Sequence, residues 1–205
     1  MSSRAPDARR VAGIVLAAGS STRMGRNKLL LEIGGESLVR RAVRLAGEAD
    51  LDPVILVTGR FREAVEREVR DLACVPVCNP DHAAGIQTSA AAGVAAVAGD
   101  CGAALVMLAD MPFVTARMVR TLVARYRETN APLVVSTYGG EVSAPPILYD
   151  RALFDEVARM KQGCGREVVR RHREGAVHVD WPAGRLRDLD RPDEYESARR
   201  ELADA

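Results

Sequence analysis

Five short aliphatic runs, at residues 11–17, 54–58, 74–78, 103–109 and 133–137, alternate along this chain with stretches of helical periodicity. Runs of that length without a polar alternation suit strands buried on both faces. Between them, Ser37 is placed to cap a helix reaching about Glu48, with Leu38, Val39, Ala42, Val43, Leu45 and Ala46 on its inner face. Residues 62–71 read as a charged helix, 86–97 as an alanine-rich helix, and Thr115 opens a further helix to about Glu128. This alternation of strand and helix predicts an α/β fold, a mostly parallel sheet with helices on both faces. Hydrophobic residues make up 47% of the chain and aromatics only 4%, so the core must be built from Val, Leu, Ile and Ala.

After Tyr138 the rhythm loosens. Gly139 and Gly140 make a turn, and 144–148 is extended because proline drives its predecessor out of the helical region. Residues 151–160 and 166–173 read as helices, 177–180 as a short strand, and 192–202 as a terminal helix with Pro192 near its first turn. No repeat or low-complexity linker divides the chain. The expectation is a loose tail at 1–10 and one domain over 11–205.

Charge and cysteine usage exclude several classes. Lys and Arg number 29 against 28 Asp and Glu, a net charge of +1. No global field therefore attracts nucleic acid or an anionic membrane. Cys74, Cys78, Cys101 and Cys164 lack the spacing of a zinc or redox site and read as reduced thiols of a cytoplasmic protein. Residues 1–10 contain no apolar core of a secretory signal, and no segment reaches the ~18 apolar residues of a membrane span.

Chemistry concentrates where strands end, which is where open α/β sheets bind ligands. Residues 19–25 follow the first strand and are rich in glycine and small hydroxyls, so successive backbone N–H groups can converge on an anion. Arg23 offers a planar fork to phosphate oxygens and Lys28 a compact charge. Neither the P-loop spacing nor the dinucleotide G-x-G-x-x-G is present. On these grounds alone the segment could also be an ordinary surface loop. Asp110, followed by Met111 and Pro112 at the end of the fourth strand, is either a magnesium ligand or a turn before the Thr115 helix. Asp190 reads as a cap for the terminal helix, whose positive end Asp193 and Glu194 favour. Asn79, Gly85, Ser89 and Gly93 follow the third strand. There a helix start can present N–H groups to a ligand, while Ser89 and Gly93 also suit tight packing.

Residues 16–28 match the pattern Leu-Ala-x-Gly-x-Ser-x-Arg-Met-Gly-x-x-Lys at Leu16, Ala17, Gly19, Ser21, Arg23, Met24, Gly25 and Lys28. The chain thereby resembles the MobA-like nucleotidyltransferases, the molybdenum cofactor cytidylyltransferases and their relatives. Asn79, Pro80, Gly85, Ser89 and Gly93 match a second pattern of that family. Asp188, Asp190, Pro192 and Tyr195 match its closing pattern, although Arg191 stands where threonine is usual and Asp193-Glu194 invert the usual order. The resemblance implies a three-layer Rossmann-like nucleotidyltransferase fold with a mostly parallel, mixed sheet.

The same resemblance implies transfer of a nucleotide to a phosphorylated acceptor with release of pyrophosphate. It puts Leu16, Ala17, Ala18, Gly19, Arg23, Lys28, Asn79, Gly85 and Ser89 at the nucleotide. Arg23, Lys28 and Asp110 become catalytic, and Asp110 and Asp190 hold Mg2+. Leu16-Ala17-Ala18-Gly19 favours CTP, with molybdopterin as acceptor and a molybdenum hydroxylase as a partner for the product. A sugar- or alditol-phosphate nucleotidyltransferase and a nucleotide-binding cofactor chaperone without turnover are the rival readings. The acceptor side is the least matched: Ser143-Ala144-Pro145-Pro146 replaces a usual Gly-His-Pro. Arg166, Arg170, Arg171 and Arg173 are either a solvated helix face or a grip for an anionic acceptor. His82, His172 and His178 are too dispersed to form a metal trio, and Trp181 reads as packing.

Overall fold

A strand buried on both faces needs a helix layer above and below it, and the chain supplies both. The computed structural model describes residues 7–19, 27–163, 165–187, 189 and 192–203. Its strands are β1 (Asp7–Ala17), β2 (Glu32–Ile33), β3 (Glu36–Ser37), β4 (Val54–Thr58), β5 (Val75–Cys78), β6 (Cys101–Leu108), β7 (Leu133–Tyr138), β8 (Val142–Asp150) and β9 (Ala176–Trp181). Its helices are α1 (Leu38–Glu48), α2 (Arg62–Glu68), α3 (Ile86–Ala95), α4 (Ala116–Thr129), α5 (Phe154–Ala158), α6 (Arg166–Arg171) and α7 (Pro192–Ala203).

Seven strands form one sheet in the order β5-β4-β1-β6-β8-β7-β9, and β2 pairs with β3 in a separate hairpin. All neighbours in the large sheet are parallel except β8, which runs antiparallel to both β6 and β7. The sheet is thus mixed and mostly parallel, a Rossmann-like α/β arrangement. The extended segment around Pro145 and Pro146 is the strand that breaks the parallel pattern. Because β8 alone is reversed, the carboxyl ends of β1, β4, β5, β6, β7 and β9 all reach one edge.

Two aliphatic cores flank the sheet. On one face Val15, Leu56, Leu105 and Met107 meet α1, α2 and α4 through Val39, Val43, Val65, Val119 and Leu122. On the other, Ile14, Ile55, Val57 and Val106 meet α3, α5 and α6 through Ala90, Val94, Val157 and Val168. Ser37 and Thr115 cap α1 and α4, accepting from the backbone N–H of Arg40 and Met118. These caps satisfy donors that the first helical turn leaves open. β1 starts at Asp7, earlier than its apolar run predicts. The reason is polar: Arg10 bonds Asp52 at 2.9 Å and pairs with Asp100, tying the start of the strand to its neighbours.

A third cluster lies at the flank. Leu31, Ile33, Leu38, Phe113, Leu189, Tyr195 and Ala198 pack together, and the Tyr195 hydroxyl donates to the Glu32 carbonyl at 2.7 Å. The terminal helix α7 is thereby docked on the β2–β3 hairpin. The Glu36 carboxyl in that hairpin is held below its usual range, first by the hydrogen bond from Arg44 of α1.

Gly93 shows how closely α3 approaches the sheet. A Cβ at this position would fall 2.4 Å from Cγ2 of Ile14, a stiff β-branched side chain on β1. Gly93→Ala gains about 1 kcal/mol of helix propensity, but overpacking costs about 1–3 kcal/mol. A clash with a stiff side chain falls at the upper end of that range, so the substitution is expected to lower stability by up to about 2 kcal/mol. Urea unfolding checks this as a lower midpoint with an unchanged slope; an equal or higher midpoint would show that α3 can lift away freely.

Candidate active site at the carboxyl edge of the sheet

The site begins with register. Leu16 of β1 lies opposite Leu108 of β6, and the Ala109 N–H donates to the Leu16 carbonyl at 3.1 Å. That pairing sets Ala18 and Gly19 beside Asp110. On the other side, Ala17 lies opposite Thr58 of β4, and Thr58 lies opposite Cys78 of β5. Four strand ends therefore deliver their loops to one place.

Between these loops and the start of α3 lies a cavity of about 320 Å3. Leu16, Leu108, Leu29 and Ile86 give it apolar walls. Ala18, Gly19, Gly85 and Ser89 contribute small residues, and Lys28 and Asp110 contribute the charges. Lys28 Nζ lies 2.5 Å from Asp110 Oδ2, and both side chains are largely withdrawn from solvent, at 11% and 18% exposure. A charge-assisted contact of this length in a partly dry cavity is far stronger than a surface ion pair. Lys28 opens a short 3-10 turn, whose cap is Asn27; the Asn27 side chain accepts from the Leu29 N–H at 3.1 Å. On the opposite side, Arg41 of α1 donates to the Pro112 carbonyl at 3.2 Å and steadies the turn after Asp110.

Of the residues singled out from sequence, Leu16, Ala18, Gly19, Lys28, Gly85, Ser89 and Asp110 line this one cavity. Ala17 does not line it. Its side chain belongs to the core on the opposite face of the sheet, as strand alternation requires. Asn79 is buried behind the wall. Its amide donates to the Thr88 and Ser89 hydroxyls at 2.8 and 3.0 Å, and its carbonyl oxygen accepts from the Asp81 N–H. Asn79 thus shapes the loop between β5 and α3. Arg23 and Asp190 lie outside the described residues. Leu189, next to Asp190 in sequence, is fully buried in the cluster that holds Phe113, three residues after Asp110.

Leu29, Ala83, Ile86 and Leu108 also line the cavity and were not singled out, since nothing in their identity signals a ligand; His82, set aside in sequence as too far from the other histidines, lines it as well. Gly59 is a further case. A Cβ there would lie 2.8 Å from the Ala18 carbonyl oxygen and 2.9 Å from the Cβ atoms of both Ala18 and His82. Only glycine lets the loops after β1, β4 and β5 meet this closely. A second, larger groove lies further along the same edge, at the ends of β7 and β9. Arg166, Arg170 and Arg173 line it together with Thr137, His178 and Asp180. Thr137 Oγ1 and His178 Nδ1 are 3.1 Å apart, and Asp180 accepts from the Gly140 N–H at 2.8 Å. Among the described residues, no helix is long and apolar enough to cross a membrane.

The MobA-like NTP transferase domain family matches residues 13–176. The purine catabolism protein PucB of Bacillus subtilis is 30% identical, over 93% of this chain and 97% of PucB. A probable molybdenum cofactor guanylyltransferase of Opitutus terrae is 35% identical over 75% of this chain and 73% of its own length. The crystal structure of Rv0371c of Mycobacterium tuberculosis in complex with manganese superposes with a TM-score of 0.74 at 23% identity. It covers 96% of this chain and all of its own, and shares the fold.

Asn79→Ala would strand the Ser89 hydroxyl and the Asp81 N–H, while the Thr88 hydroxyl keeps the Asp81 and Gly85 carbonyls. Unfilled buried hydrogen bonds cost about 1–3 kcal/mol. The expected result is that loss in guanidinium unfolding, and a loss under 0.5 kcal/mol, about half a typical hydrogen bond, would show that water replaces the amide.

Proposed function

This chain belongs to the MobA-like NTP transferase domain family, and we propose that it transfers CMP from CTP to a phosphorylated acceptor, molybdopterin, with release of pyrophosphate. That it is a nucleotidyltransferase follows from the family itself. The observation that carries the transfer chemistry is the Lys28–Asp110 pair inside the cavity at the carboxyl edge.

The chemistry asks little of a general base. A phosphate monoester has its second pKa near ~6, so the acceptor is already an ionised nucleophile at neutral pH. It attacks the α-phosphorus in line, and pyrophosphate departs on the opposite side. The chain's task is positioning and charge neutralisation. Gly19 and the loop after it cradle phosphates with backbone N–H groups. Lys28 and Arg23 take the charge that grows on pyrophosphate. Leu16, Ala18, Gly85 and Ser89 enclose the nucleoside, and Asn79 acts through Thr88 and Ser89. The arginine-lined groove at β7 and β9 receives the anionic acceptor.

Asp110 already attracts a cation, the Lys28 ammonium, so the carboxylate fits a divalent metal ligand. Asp110 and Asp190 would hold Mg2+, which neutralises the triphosphate when bound. The burial of Leu189 against Phe113 supports bringing Asp190 toward Asp110. The choice of CTP rests on Leu16-Ala17-Ala18-Gly19, with the Ala18 methyl taking space in the cavity that glycine would leave to a purine. Of the rival readings, a cofactor chaperone needs no in-line chemistry, and a sugar-phosphate acceptor would share the first loop.

Pyrophosphate release measured with CTP, GTP, ATP and UTP against molybdopterin tests the reading. CTP is expected to be preferred by about tenfold or more, the scale of pocket discrimination by one small group. A preference for GTP would sink the CTP assignment, and no pyrophosphate with any of them would favour the chaperone. Asp110→Ala is expected to lower kcat by about 10²–10³-fold, the loss seen when one preorganised charge partner is removed. Full metal-dependent turnover in that variant would overturn the role of Asp110.

A further inference from the structure

Lysine is scarce in this chain: it occurs only at positions 28 and 161, although Lys and Arg together number 29. At position 28 the cation is a compact ammonium on a flexible stem, where arginine would present a rigid fork. That ammonium is buried, lies 2.5 Å from Asp110 Oδ2, and shares a cavity with Gly19. Its position is that of a cation bound to one carboxylate oxygen.

We propose that Lys28 is the resident counter-ion of Asp110 and couples metal binding to triphosphate binding by moving between the carboxylate and the phosphates. The inference rests on the reading of Asp110 as a metal ligand. Its physical basis is competition. A divalent ion arriving alone meets a carboxylate already neutralised, and must lie beside a like charge or displace it. A triphosphate supplies a second anionic partner for the same ammonium. Lys28 can then leave Asp110 without losing its compensation, and the carboxylate becomes available. Coupling of this kind is reciprocal: whatever factor the triphosphate adds to metal affinity, the metal adds to triphosphate affinity. When pyrophosphate leaves, Lys28 returns to Asp110 and favours release of the ion.

The test titrates Mn2+ into the protein with no nucleotide, following loss of the free-ion electron paramagnetic resonance signal. Wild type, Lys28→Met and Asp110→Asn are compared after their heat unfolding shows them folded. Lys28→Met is expected to bind Mn2+ alone about tenfold more tightly than wild type, within the usual range of coupling between sites. Asp110→Asn is expected to bind it more weakly. A lysine that did not compete with the ion for Asp110 would not improve metal affinity on removal. Equal or weaker binding by Lys28→Met overturns the inference while leaving Asp110 as a ligand. Unchanged binding by Asp110→Asn overturns the metal assignment itself, so the two failures are distinct.

The wild-type protein carries an independent readout should Lys28→Met not fold. Acetic anhydride labels amines, and peptide mass spectrometry separates Lys28 from the exposed Lys161, which serves as reference. Labelling of Lys28 relative to Lys161 is expected to rise with saturating Mn2+ alone and to fall when CTP is added. CMP, which lacks the outer phosphates, is expected to leave it high. A Lys28 signal that Mn2+ does not change overturns the proposal.

Discussion

The side-by-side pairing of β1 with β6 is the constraint on which the rest of this molecule depends. β1 is central, parallel to β4 on one side and β6 on the other, and its residues from Val11 to Ala17 are buried except for what the cavity uncovers. With strand side chains alternating between faces, a slip of one residue would exchange the two cores. It would also turn Leu16 away from the cavity and carry Gly19 out of reach of Asp110. The same hydrogen bonds that close the core therefore set how Gly19 lies relative to the Asp110 carboxylate. Stability and chemistry share one register.

From that pairing the charges acquire their meaning. Lys28 comes from the turn after the first loop and Asp110 from the end of β6, yet they meet at 2.5 Å in a cavity with apolar walls. In water such a pair would contribute little. Here low exposure strengthens the attraction, and at the same time makes each charge costly to leave alone. A site of this kind holds its own counter-ion until a ligand brings new charge. The supporting shell is built for stiffness: Arg41 on the Pro112 carbonyl, Asn27 on the Leu29 N–H, and Asn79 on Thr88 and Ser89.

The larger groove at β7 and β9 has a different character. It is open, and its arginines come from α6 and the turn after it. The reversed strand β8 separates β6 from β7, so the groove and the cavity lie on the same edge but on different parts of the sheet. Two neighbouring sites suit a reaction that joins two phosphorylated molecules. Positioning of this kind is where most of the rate of an in-line transfer originates.

The strand–helix alternation, both helix caps and the aliphatic core were legible in sequence because they are local. Periodicity, a serine or threonine before a helix, and turn residues act within a few positions. Of the seven cavity residues, Gly19, Lys28 and Asp110 were legible because strand ends and their loops carry recognisable chemistry, and Leu16, Ala18, Gly85 and Ser89 through the family resemblance. What sequence could not decide is which side chains share a face and which polar groups are already satisfied. Ala17 turns to the other core because alternation sends every second residue across the sheet, and Asn79 is spent on its own loop. Gly59 matters only through three loops that are distant in sequence. The chain by itself determined the elements and the chemistry available at their ends. Only the tertiary structure decided that the Lys28 ammonium rests on Asp110, because that contact depends on strand register, and register is a property of the assembled sheet.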